Sequence, residues 1–570
     1  MSQPQPSTSG VRAPSVIDTI AEDYLTAKMM LSPVLATYLG VAGHEDRLDD
    51  FSPQGRKRDL DLALHTLALL EEATADVETQ DSVDAVTAAA LREELSVLAL
   101  MHQRVIEGLD PTPLNVLDCP VQSVRDVFDL MATDTPEHWR WILARLRAVP
   151  EALRGYAEAL RDSANHGAVE PRRQIVSVAE QCRAQSAATS STFSALITDA
   201  TTVPPELSEP LESAATQANA AFGWLAEVVT DELLELAPRS DAAGIERYRL
   251  LSRAFLGTEV DLAETYRWGQ QELARITALM REVAEEIQPG ASIGEAIVAL
   301  DADEKYQLKD KDALKQWMQS TADAAITAMA DHFDIPEPIR HIECLIAPSQ
   351  TGVIYYTGPS EDFSRPGRMW WSVPAGVSTF TTWRELTTVY HEGVPGHHLQ
   401  IAQTTLRRDT LNRWRRLACW NSGQGEGWAL YAEWLMSDLG YLDDPGMRMG
   451  LLDAQSLRAA RVVIDIGVHC GFEAPDEVGG GSWTYDKAWT FLNSHVNMAE
   501  DFVRFELDRY LGYPGQAPSY KIGERFWLEL REEVRRREAE DFDLAAFHRR
   551  ALDLGGVGLD VLRSAVLEQA

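Results

Sequence analysis

A chain of 570 residues, 45% hydrophobic and 25% charged, is long enough to bury a large core and has the make-up of a globular protein, not of a disordered or fibrous one. Its 88 acidic residues outnumber 52 Lys and Arg to give a net charge of −36. That balance excludes nucleic acid, which needs clustered cations, and argues against acidic membranes as partners. Most of the charge reads as a means of staying dispersed.

Residues 1–15, which include Gln-Pro-Gln-Pro-Ser-Thr-Ser-Gly, are expected to form a disordered tail. No basic stretch leads into an apolar one at the N-terminus, and no run of about eighteen apolar residues occurs, so a cytoplasmic location is expected. Cys119, Cys182, Cys344, Cys419 and Cys470 are odd in number and lack Cys-x-x-Cys spacing, which argues against a disulfide framework. Apolar residues at three- and four-residue spacing predict helices over 15–38, 56–77, 82–108, 135–165, 172–198, 212–235, 242–256 and 261–287. No internal linker interrupts them. Residues 16–570 are therefore expected to be a single, mainly α unit, with an N-terminal lobe over about 16–260 and a catalytic lobe over about 261–570 flanking a central cleft.

Gly290-Ala-Ser-Ile-Gly294 matches the spacing of a serine-hydrolase elbow but follows an acidic helix where a strand is required. Ser292 and Glu295 predict a helix-capping box there instead. Gly479-Gly-Gly481 has no Lys-Ser/Thr after it and reads as a loop, not a phosphate cradle. Between His341 and Val377, Tyr355-Tyr356 and Met369-Trp-Trp-Ser-Val373 flank a Gly- and Pro-containing loop, which predicts a small antiparallel β-sheet. Its edge would suit an extended substrate.

Tyr390-His-Glu-Gly-Val-Pro-Gly-His-His-Leu-Gln400 follows, placing three of the thirteen histidines within eight residues. A His-Glu pair closely followed by another His is how a zinc hydrolase presents two imidazoles and a general base. Here the motif is stretched to HExxxxH. In a straight helix His397 would point about 120° away from His391, and His398 would lie about 10 Å further along, too far for a shared ion. Pro395, between Gly393 and Gly396, predicts a looped-out turn that brings His391 and His397 together as ligands. Glu392 is then the base, and His398 a neighbour or supporting group.

A catalytic zinc normally takes three protein ligands and keeps a position for water. Glu426, in Ser422-Gly-Gln-Gly-Glu-Gly-Trp-Ala-Leu-Tyr-Ala-Glu433, is expected in the first turn of a helix whose glycines let the metal approach. Glu433, seven residues on and near the same face, is the alternative carboxylate.

The segments His391–Gln400, Gly425–Glu433 and Pro514-Gly-Gln-Ala-Pro-Ser-Tyr-Lys-Ile-Gly523, with Ser364-Arg-Pro-Gly367 and Asp465-Ile-Gly-Val-His469, resemble the bacterial family catalogued as domain of unknown function 885. The resemblance runs from about residue 16 to the C-terminal region. It implies kinship with gluzincin-type metallopeptidases: a mainly helical, two-lobed fold with a thermolysin-like catalytic core, and Zn2+ held by two histidines and a glutamate. Glu426 also resembles the ligand in the Asn-Glu-Gly-Phe-Ala run of zinc aminopeptidases. Pro518 and Phe363 depart from the family pattern without touching a proposed ligand.

The residues then take these roles. His391, His397 and Glu426 are the metal ligands, Glu392 is the base, and Tyr520 is an oxyanion donor. His469 joins them by resemblance to zinc peptidases that steady the tetrahedral intermediate with a His or Tyr, although a lone His ending an apolar stretch is more often a satisfied core residue. Arg365, Arg509, Lys521 and Tyr356 are expected to contact substrate, the cations through its carboxylate, with structural ion pairs as the alternative for the cations. The leading expectation is a zinc-dependent hydrolase of an amide bond in a short peptide or peptide-like small molecule. Alternatives are a zinc-dependent tailoring enzyme acting on an ester, acyl amide or other non-peptide substrate, and a metal-stabilised binding protein without turnover.

Overall fold

Side-chain caps set where the helices begin. Ser15 closes a capping box on Val16–Leu31, Asp81 caps Ser82–Ile106, and Thr135 caps Pro136–Asn165. The computed structural model describes residues 12–75, 81–187, 191–198, 200–347, 354–374 and 376–569. Helices dominate them, and most of the predicted ones are present. The helix expected over 15–38 is two, Val16–Leu31 and Pro33–Tyr38, because Pro33 has no N–H to continue the ladder and Ser32 serves as the next cap. The stretch 172–198 likewise divides into Arg172–Ser186 and Thr192–Thr198. The predicted box of Ser292 and Glu295 opens Ile293–Ala302.

Residues 1–11 of the expected tail lie outside the described residues. Arg12 is anchored: its N–H donates to the Asp409 carbonyl at 3.0 Å and its guanidinium pairs with Asp18, Asp81 and Asp84. No helix among the described residues is long and apolar enough to cross a membrane, and the five cysteines are free.

Five short strands form two sheets. Strands β1 (Gln307–Leu308) and β5 (Phe380–Thr381) pair antiparallel. The other three, β2 (Ile342–Ile346), β3 (Ile354–Thr357) and β4 (Gly367–Trp371), lie in the order β2-β4-β3. This sheet is mixed and not antiparallel as expected, because β2, unmarked in the sequence reading, adds parallel to β4 while β3 adds antiparallel. Strand β3 is left as an edge.

One apolar core draws on residues 17–99 together with 256–566, a second on 34–233 and a third on 248–517. The first therefore crosses residue 260. Around the site, the helix Thr382–Glu392 packs on Ser422–Asp438 and on Pro445–Cys470, and Ser519–Glu538 lies against Ser422–Asp438. The last contact is backbone on backbone: a Cβ on Gly427 would come within 2.4 Å of the Gly523 main chain.

Candidate metal centre

The helix Thr382–Glu392 ends at Gly393, passes through a cis Val394–Pro395 bond, and a new helix starts at His397 and runs to Leu406. The turn is closed by Gly396 N–H on the Tyr390 carbonyl and His398 N–H on the Gly393 carbonyl, both at 3.1 Å, and Trp428 Nε1 donates to the Pro395 carbonyl at 2.9 Å. Gly396 is there for room: a Cβ would sit 1.9 Å from the His391 carbonyl oxygen. The helix is thus interrupted where Pro395 and the flanking glycines predicted, and the two imidazoles meet with ring centroids 4.9 Å apart at 87°.

Nε2 of His391 lies 3.3 Å and Nε2 of His397 lies 3.4 Å from the same Glu426 oxygen. The three donor atoms fall within 4.8 Å of one another. Both contacts are longer than an ordinary N–H···O bond. They match the edge of a coordination tetrahedron, since two donors each about 2.1 Å from one ion stand about 3.4 Å apart. The donor set, two imidazoles and one carboxylate, is one that could hold a divalent metal ion such as zinc.

Behind these atoms stands a buried supporting layer. Glu433, fully buried, accepts from His391 Nδ1 at 2.7 Å and from the Thr387 hydroxyl at 2.6 Å. It is therefore the orienting group of His391, with Nδ1–H fixed and Nε2 left as the donor. His397 Nδ1 faces the side-chain oxygen Oε1 of Gln400 at 3.4 Å, and the Gln400 amide donates to Gln424 Oε1 at 2.8 Å. His398 commits both nitrogens elsewhere, to the Ile339 carbonyl at 2.7 Å and the Tyr356 hydroxyl at 2.9 Å. Burial pulls its pKa down to about 4, so it stays neutral.

Charge follows this geometry. Burial pulls the His391 pKa down, but Glu426 and Glu433 outweigh it and lift it to about 10. Burial pushes Glu426 up, and the two imidazoles hold it well below the usual carboxylate range. Glu392 is raised, chiefly by burial. Its carboxylate lines the cavity with no hydrogen-bond or ion-pair partner among the described residues.

Glu426 is not in the first turn as expected. Asn421 is the N-cap of Ser422–Asp438, which puts Glu426 in the second turn. Nor do its glycines mainly serve metal approach: a Cβ on Gly425 would meet the Trp420 ring at 2.2 Å, and Gly427 meets Gly523.

A cavity of about 1020 Å³ opens onto the site. Tyr520, Tyr356 and Arg509 line it as expected. The Tyr520 phenol, its pKa raised by burial and by Glu426, remains a proton donor at neutral pH. The Tyr356 hydroxyl is already given to His398. Three other expected residues are placed elsewhere, and none of them lines the cavity.

His469 is a closed core group. Its Nε2 is on the Tyr510 carbonyl at 2.9 Å, its Nδ1 accepts from Ala243 N–H at 3.2 Å, and its ring stacks on Tyr248. It stands eight residues, about 12 Å of helix, beyond Arg461, the last residue of that helix on the cavity. Lys521, one helix step round from Tyr520, is buried among Gln455, Glu524 and Glu272 at 2.6–3.0 Å. Arg365 stays beside Gly40 in the loop before β4.

The sequence reading missed Glu385, Trp420, Arg458 and Arg461, all on the cavity wall. The arginines carried one signal, a pair three residues apart on one helix.

Residues 33–566 match the family model described as a bacterial protein of unknown function (DUF885). The chain belongs to that family. Two solved structures share the fold of this DUF885 member, and both are described as putative lipoproteins. The one from Colwellia psychrerythraea is 22% identical with a TM-score of 0.81, over 98% of this chain and 99% of that one. The one from Shewanella oneidensis, described as of unknown function, is 17% identical with a TM-score of 0.71, over 97% and 100%. No curated protein matches the sequence.

Proposed function

We propose that this DUF885 member is a zinc-dependent hydrolase of gluzincin type that cleaves an amide bond in a short peptide or peptide-like small molecule. The observation that carries the reading is the meeting of His391, His397 and Glu426 at tetrahedral-edge spacing, beside a buried and unpartnered Glu392, on the wall of a large cavity. A zinc ion held by those three residues would supply Lewis-acid polarisation of a carbonyl and a more acidic water.

The chain's own groups do the rest. Glu392 takes the proton of the attacking water and passes it to the leaving amine; burial, by raising its pKa, makes it a better base. Tyr520, protonated and facing the cavity, donates to the oxyanion that develops on the carbonyl. The edge strand β3, with Ile354, Tyr355 and Tyr356 on the cavity, offers main-chain groups to an extended substrate.

The test combines elemental analysis with a panel of dipeptides, short peptides, acyl amides and esters. Purified protein should carry about one zinc per chain. It should hydrolyse a member of the amide set, lose that activity to a chelator and regain it with zinc. Glu392→Gln should keep the metal and lose turnover. Protein that takes up no zinc, a fully active Glu392→Gln variant, or turnover of esters alone overturns the reading.

A further inference from the structure

The cavity wall carries a cation without an anion. Among the described residues Arg458 forms no ion pair, and its one side-chain hydrogen bond runs from Nη1 to the Ala454 carbonyl at 3.1 Å. Its neighbours on the wall do not supply the missing charge. Glu506 is shared between Arg461, at 2.7 Å, and Arg509, at 3.1 Å, so one carboxylate faces two guanidiniums before Arg458 is counted. Asp453, five residues earlier on the same helix, is held by Asn497 at 2.7 Å and stands 3.7 Å from Arg384. Glu392 feels Arg458 electrostatically but lies beyond ion-pair distance.

The wall as a whole departs from the rest of the chain. Five arginines and five carboxylates line the cavity, in a protein with 52 basic and 88 acidic residues. A part-buried cation next to two others that share one anion is costly unless a further anion joins it.

Arg458 is also well placed to act on substrate. Gly450 abuts the Trp383 carbonyl, where a Cβ would come within 2.0 Å, and Asp453 neighbours Arg384. From Gly450 and Trp383, eight residues along each helix lead to Arg458 and His391. Arg384 stands by Asp453 and Glu392 feels Arg458, so contacts advance together along the two helices, which run side by side in the same direction and bring Arg458 level with Glu392 and the ligands.

We propose that this wall binds a carboxylate of the substrate, with Arg458 as its direct partner and Arg461 and Arg509 as the flanking cations. The substrate class is then a short peptide that bears an anionic group, either its free C-terminus or an acidic side chain. As a statement about turnover this rests on the hydrolase reading; as a statement about binding it stands apart from it.

The experiment compares trialanine, trialanine amide and an alanyl-glutamyl-alanine amide on zinc-loaded wild-type, Arg458→Gln and Arg458→Lys proteins. Wild type should favour a carboxylate-bearing peptide over trialanine amide by about tenfold or more in kcat/KM. Preference for free trialanine assigns the C-terminus, and preference for the glutamyl amide assigns the side chain. Arg458→Gln should erase the preference, with the larger loss falling on the carboxylate-bearing peptides through KM, and be partly rescued by Arg458→Lys.

Equal handling of the three peptides by wild type, which needs no variant to fold, overturns the proposal. So does an Arg458→Gln variant that slows all three alike. If no peptide is hydrolysed, the hydrolase reading falls, and calorimetry of the same peptides with metal-free wild type and Arg458→Gln decides this one. Carboxylate-dependent binding lost in Arg458→Gln supports it, and equal or absent binding of acid and amide overturns it.

Discussion

Two buried polar clusters flank the cavity region, and they are built in opposite ways. Around His391 every supporting bond is made on the far side of the ligand, so that His391 Nε2, His397 Nε2 and a Glu426 oxygen are left facing one another. Around His469 the imidazole itself is closed off. Both ring nitrogens are on main chain, and the neighbouring Asp465 accepts from the Tyr248 hydroxyl at 2.7 Å and Gly515 N–H at 2.9 Å. Burial even lifts Asp465 to about 7, whereas the imidazoles keep Glu426 ionised. A buried histidine beside a carboxylate marks a binding site when unfilled donor atoms converge, and a structural joint when they are closed off.

Substitutions can break this contrast. The largest effect is expected from Glu426→Ala, which should abolish zinc uptake and turnover together in elemental and kinetic assays, while His469→Gln leaves zinc content unchanged. Glu392→Gln should retain zinc and lower kcat by about 10²–10⁴-fold, the usual share of a general base. Glu433→Gln should keep the fold but weaken zinc binding about 10–100-fold in a chelator competition, because it loosens His391 without removing it. His469→Gln should instead lower unfolding free energy by about 1–2 kcal/mol in denaturant titration, with kcat/KM unaltered.

The smallest effect concerns acid stability. Burial depresses His469 to about 4 and His548 to about 3. The unfolded chain, with ordinary imidazoles near 6.5, then binds more protons than the native one below that pH. The stabilising effect of keeping these histidines neutral is present above about pH 6.5 and is lost as pH falls toward 4, at up to about 1.4 kcal/mol per pH unit for each. Removing His469 should reduce that slope, as measured by denaturant midpoints between pH 6.5 and 4.5.

What could be read from the sequence was what is local. Helix starts at Ser15, Asp81 and Ser292 follow from a single side chain bonding three residues on, and the Gly393–Gly396 interruption from proline and glycine chemistry within one turn. The meeting of His391 and His397 was legible for the same reason, and the approach of Glu426 because its segment is distinctive. Parallel pairing of β2 was not, since it depends on a partner twenty-five residues away. Arg458 and Arg461 were not, since only the side-by-side packing of two helices turns ordinary arginines into a cavity wall. Lys521 misled because proximity in sequence to Tyr520 does not fix which way a side chain points round a helix, and His469 because resemblance to other peptidases does not place a side chain.

The contact of Gly427 with Gly523 has a bearing on how this protein can change. Glu426 and Tyr520, one residue before the first glycine and three before the second, ride on helices with no side chain between them, so no substitution there can adjust their separation by small steps. Any Cβ acts as a wedge that moves the phenol and the carboxylate apart at once. Altered selectivity is therefore expected to arise on the arginine-bearing wall, where flexible side chains offer gradual change, while the spacing between these two groups is kept or lost whole.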